Sequence, residues 1–351
     1  MNTCQGDELT ITITSDKTNI LIVGAGAVGF SVGYHLHLSG TDVTFLVRKG
    51  RKADFAPPQK LYCYDDDTLK EFSNFNVIED IEEIKPQQYQ FIIITLDGNV
   101  SRSPEGVATL SKLGGVVRNS KTTVIMSAFG SGIREHYIQY MRIPEDQLLR
   151  GILGTLSHQS KADLPVHAPT DPKLINQAIV CYKHPANKVG FQVENNNKSA
   201  AKQFSALYNN SGVSRCGQVS PAMFNIYSSI GFPVYAACDI VGWPKFSAVI
   251  ANKDLWQLAC RAQGEIASLP KHGLIGKIMS FVMGPRITAK IHLKMEQDML
   301  PLDYQAFNRF HHGGKVKAQD VESLRNSIVE GELQGRQMKA LKELLQRVEH
   351  N

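Results

Sequence analysis

Six residues near the N-terminus constrain this chain more than any other feature. Gly24-Ala-Gly-Ala-Val-Gly29 follows the apolar run Asn19-Ile-Leu-Ile-Val23 and opens a segment of helical composition that closes at Ser39-Gly40. A strand, a tight turn and a helix in that order use glycine in three ways. The first lets the chain turn, the second lets a ligand approach the backbone, and the third lets helix and strand pack closely. The helix presents unpaired N–H groups and the positive end of its dipole to the turn, which suits phosphate. A bare G-x-G-x-x-G is a weak signal. Between a strand and a helix it points to a dinucleotide lying across Gly24, Ala25, Gly26, Ala27, Val28 and Gly29.

The rest of the N-terminal half repeats the alternation. Residues 42–47 (DVTFLV), 90–96 (QFIIITL) and 122–126 (TTVIM) are continuous apolar runs separated by helical segments, the pattern of a parallel sheet covered on both faces. Residues 60–64 and 75–78 flank the turn-rich 65–67 and predict a hairpin insertion; 151–192 reads as short strands, and 199–209 as a helix. From 217 onward helical composition dominates, over 221–243, 252–268, 287–298 and 315 to the C-terminus, broken near Gly331 and Gly335. The expected architecture is α/β: a Rossmann-like, doubly wound, mostly parallel sheet over 19–216, then an all-helical domain over 217–351. Residues 1–18 form an extension whose alternating 9–14 predicts an edge strand.

Composition removes other classes. Of 351 residues, 42% are apolar and 20% charged, which excludes a disordered or fibrous chain. A net charge of +5, spread along the chain, is too small for a nucleic-acid footprint. The six cysteines are scattered with no C-x-x-C, so neither a zinc site nor a disulfide scaffold is expected. The first twenty residues carry no signal-peptide pattern, and the apolar stretch 222–243, interrupted by Asn225, Gly231, Pro233 and Asp239, reads as a core helix rather than a membrane span. The expectation is a cytoplasmic protein whose partner is a small molecule, with no nucleic acid, membrane or metal, and with any self-association through the helical half.

The second strand selects the cofactor. An NAD site would end that strand on an acidic residue; here it ends Leu46-Val47-Arg48, with Lys49, Arg51 and Lys52 following. Cations there favour a 2′-phosphate, so NADP(H) is expected, with Arg48 its main contact. Lys49 and Lys52 read equally well as a solvated loop.

These pieces, taken in order with residues 91–96, Phe129-Gly-Ser-Gly132, Gly154-Thr155, the Pro233 helix and 303–316 (DYQAFNRFHHGGKV), resemble the ketopantoate reductase (2-dehydropantoate 2-reductase) family. The resemblance implies reduction of a 2-keto acid by NADPH in a cleft between two domains, on the route to pantothenate. It adds Leu96 and Gly130 to the cofactor site, and Asp303 as a contact to the nicotinamide ribose or amide. It also exposes departures. The family's lysine after the fourth strand is replaced by Asp97, and its Asn-Gly by Phe129-Gly130. Anchoring on Pro233 puts Phe224 at the catalytic lysine and Ser228 and Phe232 at two asparagines.

Reducing a ketone requires a proton donor or cation where negative charge develops, and Phe224 is neither. Tyr227 and Ser228 share its helix face, three and four residues on, and are the catalytic candidates. Tyr227 reads either as a phenolic acid or a core aromatic; Ser228 as a carbonyl-positioning donor or a helix contact. Asp97 and Asp303 also read as caps. His35 and His37 are expected partly exposed, Asp65 to Asp67 a turn, and His311-His312 a helix break, with no carboxylate spaced to complete a metal ligand set. Beside the reductase stand two alternatives: an NADP(H)-binding regulator, and a reductase of a larger, more apolar keto substrate.

Overall fold

The computed structural model describes residues 17–85 and 87–350, so the edge strand expected at 9–14 lies outside the described residues. Twelve strands follow in order: β1 Asn19–Val23, β2 Asp42–Leu46, β3 Gln59–Cys63, β4 Thr68–Phe72, β5 Asn76–Ile78, β6 Phe91–Ile94, β7 Thr123–Met126, β8 Leu148–Leu153, β9 Leu156–Gln159, β10 Val180–Lys183, β11 Val189–Glu194 and β12 Arg215–Val219. The sheet-side helices are α1 Ala27–Leu38, α2 Gly98–Arg102, α3 Pro104–Val117, α4 Ile133–Met141, α5 Pro172–Ile175 and α6 Lys198–Asn209. Helices then take over: α7 Pro221–Tyr227, α8 Phe232–Ile240, α9 Phe246–Ala251, α10 Lys253–Ala267, α11 Gly273–Val282, α12 Pro285–Asp298, α13 Tyr304–Phe310, α14 Lys317–Leu333 and α15 Lys339–Glu349.

The main sheet has the order β12-β11-β8-β7-β6-β1-β2-β5. Every pairing in it is parallel except β8 with β11. Alternate residues of β1 feed opposite cores: Ile20 and Ile22 pack with Phe30, Phe45 and Phe91, while Leu21 and Val23 pack with Ile92, Leu110 and Tyr137. That is why the run is apolar without a break: both faces are covered. The helical half has its own core, centred on Leu258, Ala259 and Ala262 of α10 and joined by Leu341 and Leu344 of α15.

Several expectations are corrected. The insertion is a hairpin, but β3 pairs with β4 rather than with 75–78; β5 instead extends the main sheet, parallel to β2. The helix expected over 221–243 is two, α7 and α8, separated by a turn at 228–231. Pro233 lies in the first turn of α8, where its missing N–H costs nothing, whereas in a continuous helix it would remove a hydrogen bond. His35 is fully buried because α1 lies between the main sheet and the four-stranded sheet β4-β3-β10-β9; it meets His184 Nε2 at 2.6 Å and the Ser31 carbonyl at 2.5 Å. The break at 311–315 is a π-helical turn, in which His312 pairs with Asp320 at 2.7 Å.

Candidate active site

Strand β1 lies between β2 and β6, where the winding of the sheet reverses and a crevice opens at the carboxyl ends of the strands. The glycine turn sits there. Gly24 has φ +104°, a left-handed conformation, and a side chain on Gly29 would overlap the Gly24 carbonyl oxygen. At Gly26 a Cβ would meet nothing within 4 Å. Gly26 also begins α1 with no side-chain cap, and no acidic residue stands in the first turn. The turn therefore leaves open space before unsatisfied N–H donors, and a dinucleotide pyrophosphate fits it. Leu96 lies beneath, 3.7 Å from the Cβ position of Gly24. Arg48 follows β2 and is exposed, its side chain without a partner among the described residues. Its neighbour Arg51 is held by Asp54 and lies over Phe55.

Gly98 joins this turn to a second space. The loop after β6 begins with Asp97, whose carboxylate caps α2 by accepting from the Val100 N–H at 2.9 Å. The Gly98 N–H donates to Gln319 Oε1 of α14 at 3.2 Å, and a side chain on Gly98 would overlap the Phe129 carbonyl oxygen. Beyond lies a cleft of about 390 Å³ between the two halves. The sheet side contributes Phe129 to Glu135 and Arg150; the helical side contributes Phe224, Ser228, Phe232, Lys271 and one face of α14.

Arg150 dominates the cleft. It projects from β8 and donates through Nε (2.9 Å) and Nη2 (2.5 Å) to the carboxylate of Glu194, which is 3% exposed, and through Nη1 to Asn225 Oδ1 at 2.7 Å. Its Cζ stands 4.4 Å from the centroid of the Phe224 ring. That ring lies nearly parallel to Phe129, centroids 6.5 Å apart. A guanidinium on an aromatic face and locked by a bidentate carboxylate is a fixed cation. Three of its five N–H donors are used, so two remain for a ligand. Where the family resemblance places a lysine, this chain has a phenyl ring carrying an arginine from the sheet.

The other sequence-predicted residues divide. Ser228 lines the cleft and donates to the Asn225 carbonyl at 3.1 Å. Gly130 lines it too, at φ +130°. Tyr227 is 49% exposed and is not among the lining residues. Asp303 lies outside the lining: it caps α13 through the Ala306 N–H at 2.9 Å and pairs with His167 at 2.9 Å. From the helical half it is Gln319 that reaches the loop after β6. Arg150, Lys271, Gln319, Ser323 and Asn326 were missed. The one available signal was an arginine inside an otherwise apolar strand, LLRGIL.

One group away from the cleft has metal-binding residue types. Cys63, Asp65 and His184 place one ligand atom each within 4.8 Å of one another. Asp65 is already engaged by Lys183 and His184. Burial pushes its carboxyl up, but those hydrogen bonds outweigh it and hold the group well below the usual carboxylate range.

Residues 20–126 match the sequence model of the ketopantoate reductase PanE/ApbA family. No curated protein matches the chain by sequence. In fold it is similar to 2-dehydropantoate 2-reductase of Geobacter metallireducens GS-15, at 15% identity over 95% of this chain and 99% of that one, with a TM-score of 0.64. It is similar also to D-mandelate dehydrogenase solved with NADH and anilino(oxo)acetate, at 13% identity, 95% and 98% coverage and a TM-score of 0.63. A PanE/ApbA family ketopantoate reductase from Ralstonia eutropha JMP134 gives 10% identity, 95% and 97% coverage and a TM-score of 0.63. Residues 20–126 thus match that family's sequence model, and as a whole the chain adopts the fold of these reductases.

Proposed function

We propose that the protein reduces a 2-keto acid with NADPH, in the cleft between the sheet and the helical half. The observation carrying this reading is Arg150, a fixed cation in an aromatic-lined cleft that adjoins the glycine turn through Gly98. Bound NADPH supplies the hydride. The chain's own residues do the rest. The two spare N–H donors of Arg150 hold the substrate carboxylate or the carbonyl oxygen as negative charge grows on it. Lys271, the one lysine among the cleft residues, is the proton-bearing side chain there, positioned by Glu330 at 2.6 Å. Arg48, exposed and unpaired at the end of β2, takes the 2′-phosphate.

The phenylalanines refine the substrate. Phe129, Phe224 and Phe232 stand where polar contacts would suit a small hydrophilic acid, so the cleft favours a keto acid with a branched or aromatic side group over ketopantoate itself. The test is NADPH absorbance with a panel of ketopantoate, branched and aryl 2-keto acids. Turnover strongest with the apolar acids is expected. Tight NADPH binding with no turnover across the panel would contradict this reading and favour the regulator instead.

A further inference from the structure

We propose that α11 and α12 form a peripheral docking surface for an anionic lipid bilayer. Helices of globular proteins bury their apolar face; α11 does the reverse. Its only fully buried residue is Gly276, where a side chain would collide with the Ala267 carbonyl, so the core takes the helix backbone there, and of the large apolar side chains only Met279 is half-buried. Leu274 is 73% exposed and Phe281 89%, with Ile275, Ile278 and Val282 exposed between and beside them at helical spacing. On α12, Ile287, Ile291 and Leu293 are exposed as well. Eight large apolar side chains on two consecutive helices exceed the scattered exposure normal for a protein surface.

Charge selects the occupant. Residues 271–294 contain Lys271, Lys277, Arg286, Lys290 and Lys294 and no acidic residue, so this one segment holds the whole formal excess of +5. The excess is therefore not spread along the chain. Lys271 pairs with Glu330 and Lys294 with Asp298, while Lys277, Arg286 and Lys290 have no acidic partner among the described residues. A second copy seated on the same segment through a twofold would add five more cations and no acidic residue of that segment to pair with them. An anionic membrane meets both demands at once, apolar side chains entering the acyl boundary while lysine and arginine stems reach the headgroups. No helix among the described residues is long and apolar enough to cross a membrane, so the protein lies on the bilayer rather than through it. Lys271 belongs to both the cationic segment and the cleft lining, which sets the mouth of the cleft beside that surface.

The test is co-sedimentation of the full chain with phosphatidylcholine vesicles, with and without about one-third phosphatidylserine. Binding to the serine-containing vesicles alone is expected, weakened by salt. Lys277→Gln with Lys290→Gln should weaken it roughly thirtyfold, at about fivefold per cation. Leu274→Ser with Phe281→Ser should weaken it at least about tenfold, with melting temperature and NADPH affinity unchanged, because these side chains touch neither core nor cleft. Three results would overturn the proposal: no binding to anionic vesicles, binding indifferent to headgroup charge, or a dimer by light scattering that Phe281→Ser returns to monomer.

Discussion

The glycine turn and the cleft beside it are built in opposite ways. The turn occupies six consecutive residues, and two of its three glycines answer to a neighbour no farther than the adjoining strands, Gly29 to the Gly24 carbonyl and Gly24 to Thr95, while Gly26 faces open space. The cleft gathers Phe129, Arg150, Phe224, Lys271 and Asn326 from five separate segments. A backbone-made site is constrained by local geometry and leaves a motif. A side-chain-made site is constrained only in space, so its residues need share no spacing along the chain.

The largest effect comes from the cleft cation. Arg150→Met leaves the Glu194 carboxylate buried and unpaired, and should cost about 3–5 kcal/mol of stability by denaturant titration. Arg150→Met combined with Glu194→Met should restore most of it, since removing both charges leaves nothing uncompensated. A double variant as unstable as the single one would break the claim that the pair is the relevant unit.

The turn should respond to volume instead. Gly29→Val should destabilise by about 3 kcal/mol or more, because the Gly24 backbone cannot give way. Gly26→Val meets open space at an ordinary φ of −82°, so its melting temperature should stay within about 2 °C of the parent while NADPH affinity falls at least about a hundredfold. Calorimetric titration separates them; equal loss of fold in both would show that Gly26 is structural.

Within the helical half, His292 is buried against Phe246, and burial pushes its imidazole down to about 4. The unfolded chain therefore binds the proton more readily between pH 6.5 and about 4. The stability that neutral His292 confers is complete above pH 6.5 and is lost as pH falls through that window, to a limit of about 3 kcal/mol. His292→Gln should flatten the acid limb of the stability curve. The smallest effect belongs to Arg48→Gln, which should weaken NADPH by about tenfold and leave NADH unchanged.

How far the sequence could be read follows the same division. β1, β2, β6 and β7 were legible as unbroken apolar runs because both faces of each are covered. β4 was missed because TLKEF does not alternate: its two apolar residues, Leu69 and Phe72, stand three apart with Lys70 and Glu71 between, which hides the strand period. α11 was missed for the opposite reason: GLIGKIMSFV has no polar face to set a period, since its apolar residues point outward. His35 was misplaced because an amphipathic argument assumes one covered face, and α1 has two. The turn was legible by motif, whereas helix spacing named Tyr227 and Ser228 alike and only Ser228 lines the cleft. Arg150 could not be found by either, because its partners Glu194 and Asn225 lie 44 and 75 residues away. Asp303 was assigned by position in a resemblance, whereas Gln319, sixteen residues later, is what the fold brings to Gly98.

The most direct test of the account is NADPH oxidation by the parent protein and by the Arg150→Met, Glu194→Met double variant, with a branched or aryl 2-keto acid as substrate. The expected result is turnover by the parent and a loss of about 10²–10³ in kcat/KM in the folded variant, with NADPH affinity preserved. Equal turnover by both, or none by the parent with any keto acid, would contradict it.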